Sequence, residues 1–197
     1  MRAGIGLMVV ALWSAAVTAE PFELGLWLGQ ASTDVRGNSA DIMSADIVGV
    51  DDNDTSWGVE LGYALTDDFG LTLGYVDQGE GTLVLQADTI TPAAYHQQVR
   101  EVAPLLAEGV TLGGALRFPV AEQFSLFAEA GAFFWESKVK SSNGTETLKT
   151  NFDGTDMYVG TGASYHWSPQ WSASVRYRYY HLDETVNDWS VGLSYRF

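Results

Sequence analysis

The final nine residues alternate without exception. Trp189, Val191, Leu193, Tyr195 and Phe197 are large and apolar, while the positions between them are Ser190, Gly192, Ser194 and Arg196. A strict period of two describes a strand with two chemically different faces. Two environments accept such a ribbon. Its apolar side packs on a dry core, or it faces acyl chains while the polar side faces the lumen of a transmembrane barrel. One strand does not choose between them, but its neighbours do.

The same alternation recurs seven times upstream. The first strand sets Phe22, Leu24, Leu26 and Leu28 against Glu23, Gly25, Trp27 and Gly29. The second carries Trp57, Val59, Leu61, Tyr63 and Leu65 on one face, and the third Phe69, Leu71, Leu73 and Tyr75. The fourth carries Val110, Leu112, Leu116 and Phe118, and the fifth runs from Phe124 to Trp135 with aromatics on both faces. The sixth sets Met157, Val159, Ala163, Tyr165 and Trp167 against Tyr158, Ser164 and His166. The seventh sets Trp171, Ala173, Val175, Tyr177 and Tyr179 against serines, Arg176 and Arg178. Tight turns are expected at Thr66-Asp67-Asp68, Pro119 to Gln123 and Ser168-Pro169-Gln170. Between the remaining pairs the spacing predicts long loops: an acidic one from Thr33 to Thr55, one from Gly79 to Glu108, and a third from Lys140 to Gly154. Within the second, Tyr95, Val99, Val102 and Leu106 at helical spacing predict a short helix. The third holds Asn143-Gly144 and Asp153-Gly154 turn dipeptides, and a brief link from Asp183 to Asn187 leads into the last strand.

The N-terminus reads as a secretory signal peptide over residues 1–19: Arg2, an apolar run from Ile5 to Trp13, then small residues ending at Ala19. That run falls well short of the roughly 20 residues of a spanning helix. Residues 20–197 then form one exported domain. With no cysteine, it is not a disulfide-stapled scaffold. A net charge of -15 repels phosphate backbones, which sets nucleic acid aside as a partner.

Eight strands with long loops at one end and tight turns at the other match an outer-membrane barrel with short periplasmic turns and long extracellular loops. The faces agree. On the apolar side, aromatics cluster near the short-turn end (Phe22, Tyr63, Phe69, Phe118, Phe124, Tyr165, Trp171, Tyr195) and near the long-loop end (Trp57, Tyr75, Phe134, Tyr177, Trp189), with aliphatic residues between. A bilayer selects that arrangement, because amphipathic rings prefer the interface. The other side collects Glu23, Glu60, Arg117, Glu129, Arg176, Arg178 and Arg196. Seven ionisable groups in a dry core are costly, whereas a narrow barrel lumen pairs them. A soluble barrel with the faces inverted would drive the aromatic belts into a cavity too small for them. The predicted fold is therefore all-β, an eight-stranded antiparallel up-and-down transmembrane barrel located in the outer membrane.

Through the Gly-rich alternating strands, the lumenal Glu and Arg positions and the ending Gly192-Leu193-Ser194-Tyr195-Arg196-Phe197, the chain resembles the OmpA-type family of small eight-stranded outer-membrane barrels over its whole mature length. The resemblance implies that the barrel assembly machinery reads Leu193, Tyr195 and Phe197 as an assembly signal. The chain stops at Phe197, so the peptidoglycan-binding domain of longer members, and its cell-wall tethering, are not carried over.

The expected role is structural or surface-interacting rather than enzymatic, exercised through acidic loops that meet an extracellular ligand, among outer-membrane lipids and lipopolysaccharide. A Glu/Arg network fills the lumen, leaving at most small ion conductance if Glu60 or Glu129 exchanges between Arg117 and Arg176. No cofactor or catalytic residue is expected. Asp51-Asp52-Asn53-Asp54 is rich in oxygen ligands but lacks the central Gly and closing Glu of a Ca²⁺ loop, so no metal site is assigned. The alternative is a lipid A-modifying enzyme, since His166-Trp167-Ser168 resembles the His-x-Ser spacing of outer-membrane lipid A deacylases. Against it, Ser168 falls in a periplasmic turn, far from the outer leaflet.

Overall fold

A computed structural model of the chain describes residues 21–33, 46–80, 82–86, 106–142, 147–182 and 185–197. The first 20 residues, and with them the predicted signal peptide, lie outside these. Among the described residues there are ten strands: β1 (Phe22–Thr33), β2 (Asp46–Asp51), β3 (Asn53–Ala64), β4 (Phe69–Asp77), β5 (Thr82–Gln86), β6 (Glu108–Pro119), β7 (Phe124–Ser142), β8 (Thr147–His166), β9 (Trp171–His181) and β10 (Thr185–Arg196). Eight of them close into one barrel in the order β1-β10-β9-β8-β7-β6-β4-β3, all antiparallel, while β2 and β5 pair separately. No helix among the described residues is long and apolar enough to span a membrane; the strands do the crossing.

Register fixes the geometry. From Leu28, one route around the barrel runs through Trp57, Asp77 and Glu108 to Glu136, and the other through Val191, Val175 and Ala163 to Leu126. The routes meet on β7 ten residues apart, a stagger that tilts eight strands by roughly 40° and leaves a lumen that side chains fill.

The predicted faces hold. Leu193 and Val175 point outward with 44% and 53% of their surface exposed, as do Leu26, Leu61, Leu112 and Leu126, whereas Arg176 and Arg178 are buried within. Exposed leucine and valine around a whole cylinder is the expected surface of a protein whose solvent is hydrocarbon. Aromatic contacts mark both rims. On the turn side Phe22 meets Tyr63 at 5.0 Å and Trp171 meets Tyr195 at 4.9 Å. On the other side Trp57 meets Tyr75 at 5.7 Å and Tyr177 meets Trp189 at 4.8 Å.

Above the upper belt the loop expectations need correcting. The segment Thr33 to Thr55 is not all loop, because β2 lies within it and β3 begins at Asn53. In the Gly79 to Glu108 stretch, Thr82–Gln86 is a strand paired with β2. Tyr95, Val99 and Val102 lie outside the described residues; Leu106, described, is non-helical and buried. The Lys140 to Gly154 loop is largely a hairpin, with β7 and β8 pairing out to Ser142 and Thr147. Asp153-Gly154 is no turn, since these residues pair with Glu136 and Trp135, and Asn143-Gly144 lies outside the described residues. Likewise Thr185 to Asn187 belongs to β10. Beyond the bilayer no hydrocarbon faces the strands, so the ladder continues while the apolar–polar alternation that announces it disappears.

Candidate functional site in the barrel lumen

Strand parity sends Glu23, Glu60, Arg117, Glu129, Arg176, Arg178 and Arg196 inward, and the stagger sorts them into two levels. At the periplasmic mouth the Glu23 Oε2 accepts from Arg196 Nη2 at 2.9 Å and Arg117 Nη2 at 3.2 Å. Small residues, Ser164, Ser174 and Ser194 among them, leave a vestibule of about 110 Å³ beside this cluster.

At mid-barrel, Arg178 donates from Nε and Nη2 to the two oxygens of Glu129, at 2.6 and 2.8 Å, and from Nη2 to Glu60. A planar guanidinium engages a carboxylate in this two-pronged way with more directional strength than an ammonium. Arg176 donates to Glu60 at 3.3 Å, and its Nε lies 3.8 Å from Glu129. Each arginine also rests on an aromatic face, Arg176 on Trp27 at 3.7 Å and Arg178 on Tyr158 at 4.7 Å. The two cations and two anions balance. Closure of the fork depends on Gly160, which sits in register between Glu129 and Arg178; a Cβ there would run into the Glu129 carboxylate.

The exchange of Glu60 or Glu129 between Arg117 and Arg176 needs amending. Arg117 is held by Glu23 at the mouth, and Arg178 stands in the place that reading gave it.

A third level was not anticipated. Toward the extracellular end, Phe133 and Tyr158 both meet Tyr180 with tilted rings, at centroid distances of 5.0 and 5.8 Å, and the three pack with Ala31, Trp135, Leu182 and Val186. Leu106 and Ala107 join from the segment that enters β6. They are tied in place: Gln78 N–H donates to the Ala107 carbonyl at 3.1 Å, Ala107 N–H donates to Gln78 Oε1 at 3.1 Å, and Ser137 Oγ donates to the Leu106 carbonyl at 2.6 Å. The available signal was the aromatics on both faces of β7, Phe133 and Trp135 inward and Phe134 outward.

The other candidates are placed as follows. Ser168 Oγ accepts from the backbone N–H groups of Gln170 and Trp171 at 3.3 and 3.0 Å, capping a periplasmic turn, and His166 lies at that same end of β8. Asp54 accepts from the N–H groups of Thr55 and Glu80, and Asn53 bridges Gln30 and Asp52. Among the described residues no three His, Asp or Glu side chains converge as a metal site. Leu193 and Tyr195 face outward; Tyr195 packs edge-on against Phe197 at 5.2 Å, and Phe197 N–H donates to the Phe22 carbonyl at 3.1 Å.

Comparison with known proteins agrees with this architecture. The family profile of the outer membrane protein beta-barrel domain matches residues 5–197. Outer membrane protein A of Yersinia pseudotuberculosis serotype I (strain IP32953) is 26% identical over 151 residues, 71% of this chain; the chain spans 39% of that relative's length. Among solved structures, Neisserial surface protein A superposes with a TM-score of 0.56 at 14% identity, over 92% of this chain and 100% of that one. The N-terminal barrel of Pseudomonas aeruginosa OprF gives 0.54 at 14% identity, over 91% and 100%. Ail of Yersinia pestis gives 0.50 at 19% identity, over 89% and 98%. At these identities the structural neighbours share the fold. With its family profile matched over almost its full length and its lipid-facing cylinder closed, the chain belongs to the outer membrane protein beta-barrel domain family, as an OmpA-type eight-stranded barrel integral to the outer membrane.

Proposed function

We propose that this barrel is a closed, non-enzymatic element of the outer membrane whose work is done by its extracellular surface, in surface interaction or envelope integrity, and not by transport. The carrying observation is that the lumen is occupied at two successive levels. The Glu60/Glu129/Arg176/Arg178 network fills the middle, and the Phe133/Tyr158/Tyr180 cluster with Leu106 and Ala107 fills the extracellular half. An ion entering from the periplasm reaches the vestibule, then meets a neutral ion-paired layer followed by a mostly apolar, aromatic one that gives it little hydration. Exchange of partners within the ionic layer alone leaves the apolar layer shut, so any conductance is small and intermittent.

Residues 1–19 act as the export signal, and Leu193, Tyr195 and Phe197 present the strand by which the assembly machinery receives the chain. The acidic segment from residue 34 to residue 54 is the part offered to an extracellular ligand. Planar-bilayer recordings on the refolded protein are expected to show a silent membrane or brief small openings. A steady, large conductance would defeat this reading. Deletion of residues 34–45 is expected to reduce adhesion or envelope integrity of the cells that carry the barrel, without changing bilayer conductance.

A further inference from the structure

The chain contains three lysines, at positions 138, 140 and 149, all within the β7–β8 hairpin, in a protein of net charge -15. Register sharpens this concentration. Lys138 pairs with Asn151, and two rungs outward residue 140 pairs with Lys149, so Lys138 and Lys149 are diagonal neighbours on one face of the ladder. Diagonal side chains on one face of a sheet start about 7–8 Å apart, a span that two long side chains close around a single tetrahedral anion. Asn151, on the same face, adds an amide donor. All three residues are exposed.

The face they occupy is the outward one. Along β7 it continues from Phe134 in the upper aromatic belt through Glu136 to Lys138. At 3.3 Å per residue and a tilt near 40°, Lys138 stands roughly 10 Å above Phe134, and Lys149 roughly 5 Å higher. Immediately below runs an acidic row in register across four strands, Asp77, Glu108, Glu136 and Asp153. Like charges directly opposite one another repel. Lys138 relieves this locally, donating to Glu108 at 2.6 Å and Glu136 at 3.1 Å, which leaves one of its three N–H donors to point elsewhere. An anionic headgroup is thus repelled from the acidic row and met by cations just above it.

We propose that Lys138, Lys149 and Asn151 form a seat for a phosphate of the lipopolysaccharide headgroup, holding one glycolipid of the outer leaflet at a defined height against the hairpin. The occupant is a membrane lipid rather than a polypeptide because the face is continuous with the lipid-contacting wall of the barrel, so its lateral neighbours are lipid headgroups. The seat stands whether or not the lumen conducts.

The test uses the full chain refolded in detergent micelles, with folding verified by its heat-dependent shift in gel mobility. Three probes are titrated and followed by native mass spectrometry: bisphosphorylated lipid A, the same lipid A stripped of both phosphates, and phosphatidylglycerol. A lysine near an anionic surface is worth about fivefold in binding. The double variant Lys138→Gln/Lys149→Gln is therefore expected to bind bisphosphorylated lipid A at least tenfold more weakly, with Lys138→Arg/Lys149→Arg retaining binding. On the parent protein, the stripped lipid A is expected to bind as weakly as the glutamine variant binds the intact one. Equal binding of stripped and bisphosphorylated lipid A by the parent would overturn the proposal even if the glutamine variant failed to fold. So would unchanged affinity in that variant, or phosphatidylglycerol binding as tightly as lipid A.

Discussion

At Arg178 one guanidinium satisfies both oxygens of Glu129, reaches Glu60 and lies on the Tyr158 ring. Removing it leaves two carboxylates with Arg176 alone to neutralise them, in an interior where Glu129 has almost no contact with water. Breaking a buried pair from one side typically costs about 3–5 kcal/mol. Arg178→Ala is accordingly expected to lower the unfolding free energy of the refolded barrel by that amount and its urea midpoint with it, read by tryptophan fluorescence. Arg178→Lys, which keeps the charge and loses the fork, should cost less. Gly160→Ala should move the midpoint in the same direction, since its methyl group displaces the Glu129 carboxylate. The inward placement of these charges was legible because parity alone decides it. Their partners were not, because a stagger of ten residues separates Arg117 from the mid-barrel network and joins it to Glu23, and no stretch of sequence states that offset.

Strands inside the bilayer were legible one by one, as Trp171 to Tyr179 shows: lipid on one side and a polar lumen on the other enforce alternation. β2, β5 and the outer half of the β7–β8 hairpin were not, since beyond the bilayer no hydrocarbon enforces that constraint. At the foot of this hairpin, above the upper aromatic belt, the Lys138 ammonium and the Tyr75 hydroxyl hold Glu108 below the usual carboxylate range. In return, Glu108 and Glu136 hold Lys138 above the usual lysine range. The signs follow from linkage. The contribution from Glu108 is present above its ordinary value of 4.5 and is lost as pH falls through its depressed folded value; that from Lys138 is full below 10.5 and is lost as pH rises through its elevated one. The protection factors of amides across residues 136–151, corrected for the intrinsic pH dependence of exchange, are therefore expected to be highest between these limits and to fall on acidification below about pH 4, with those of the mid-barrel amides of Glu129 and Arg178 unchanged. Because the pair is solvated, the effect is a local loosening rather than unfolding.

For the molecule as a whole, the outer surface that faces acyl chains and the closing strand that carries Leu193, Tyr195 and Phe197 are one continuous feature. Phe197→Ala is expected to lower the amount of protein in the outer membrane several-fold in cell fractionation. The same variant refolded in detergent should unfold within about 1 kcal/mol of the parent, because the lost ring packs on an exposed rim beside Tyr195. Equal outer-membrane levels would remove the assembly role from these residues. The seam of the cylinder joins β1 to β10, from Glu23 opposite Arg196 to Thr33 opposite Val186, so the earliest strand to leave the ribosome waits for the latest one. Until β10 has been made, β1 and its successors travel as an unclosed ribbon with bare amide edges. Closure of the cylinder is thus set by the arrival of β10 rather than by the order of synthesis.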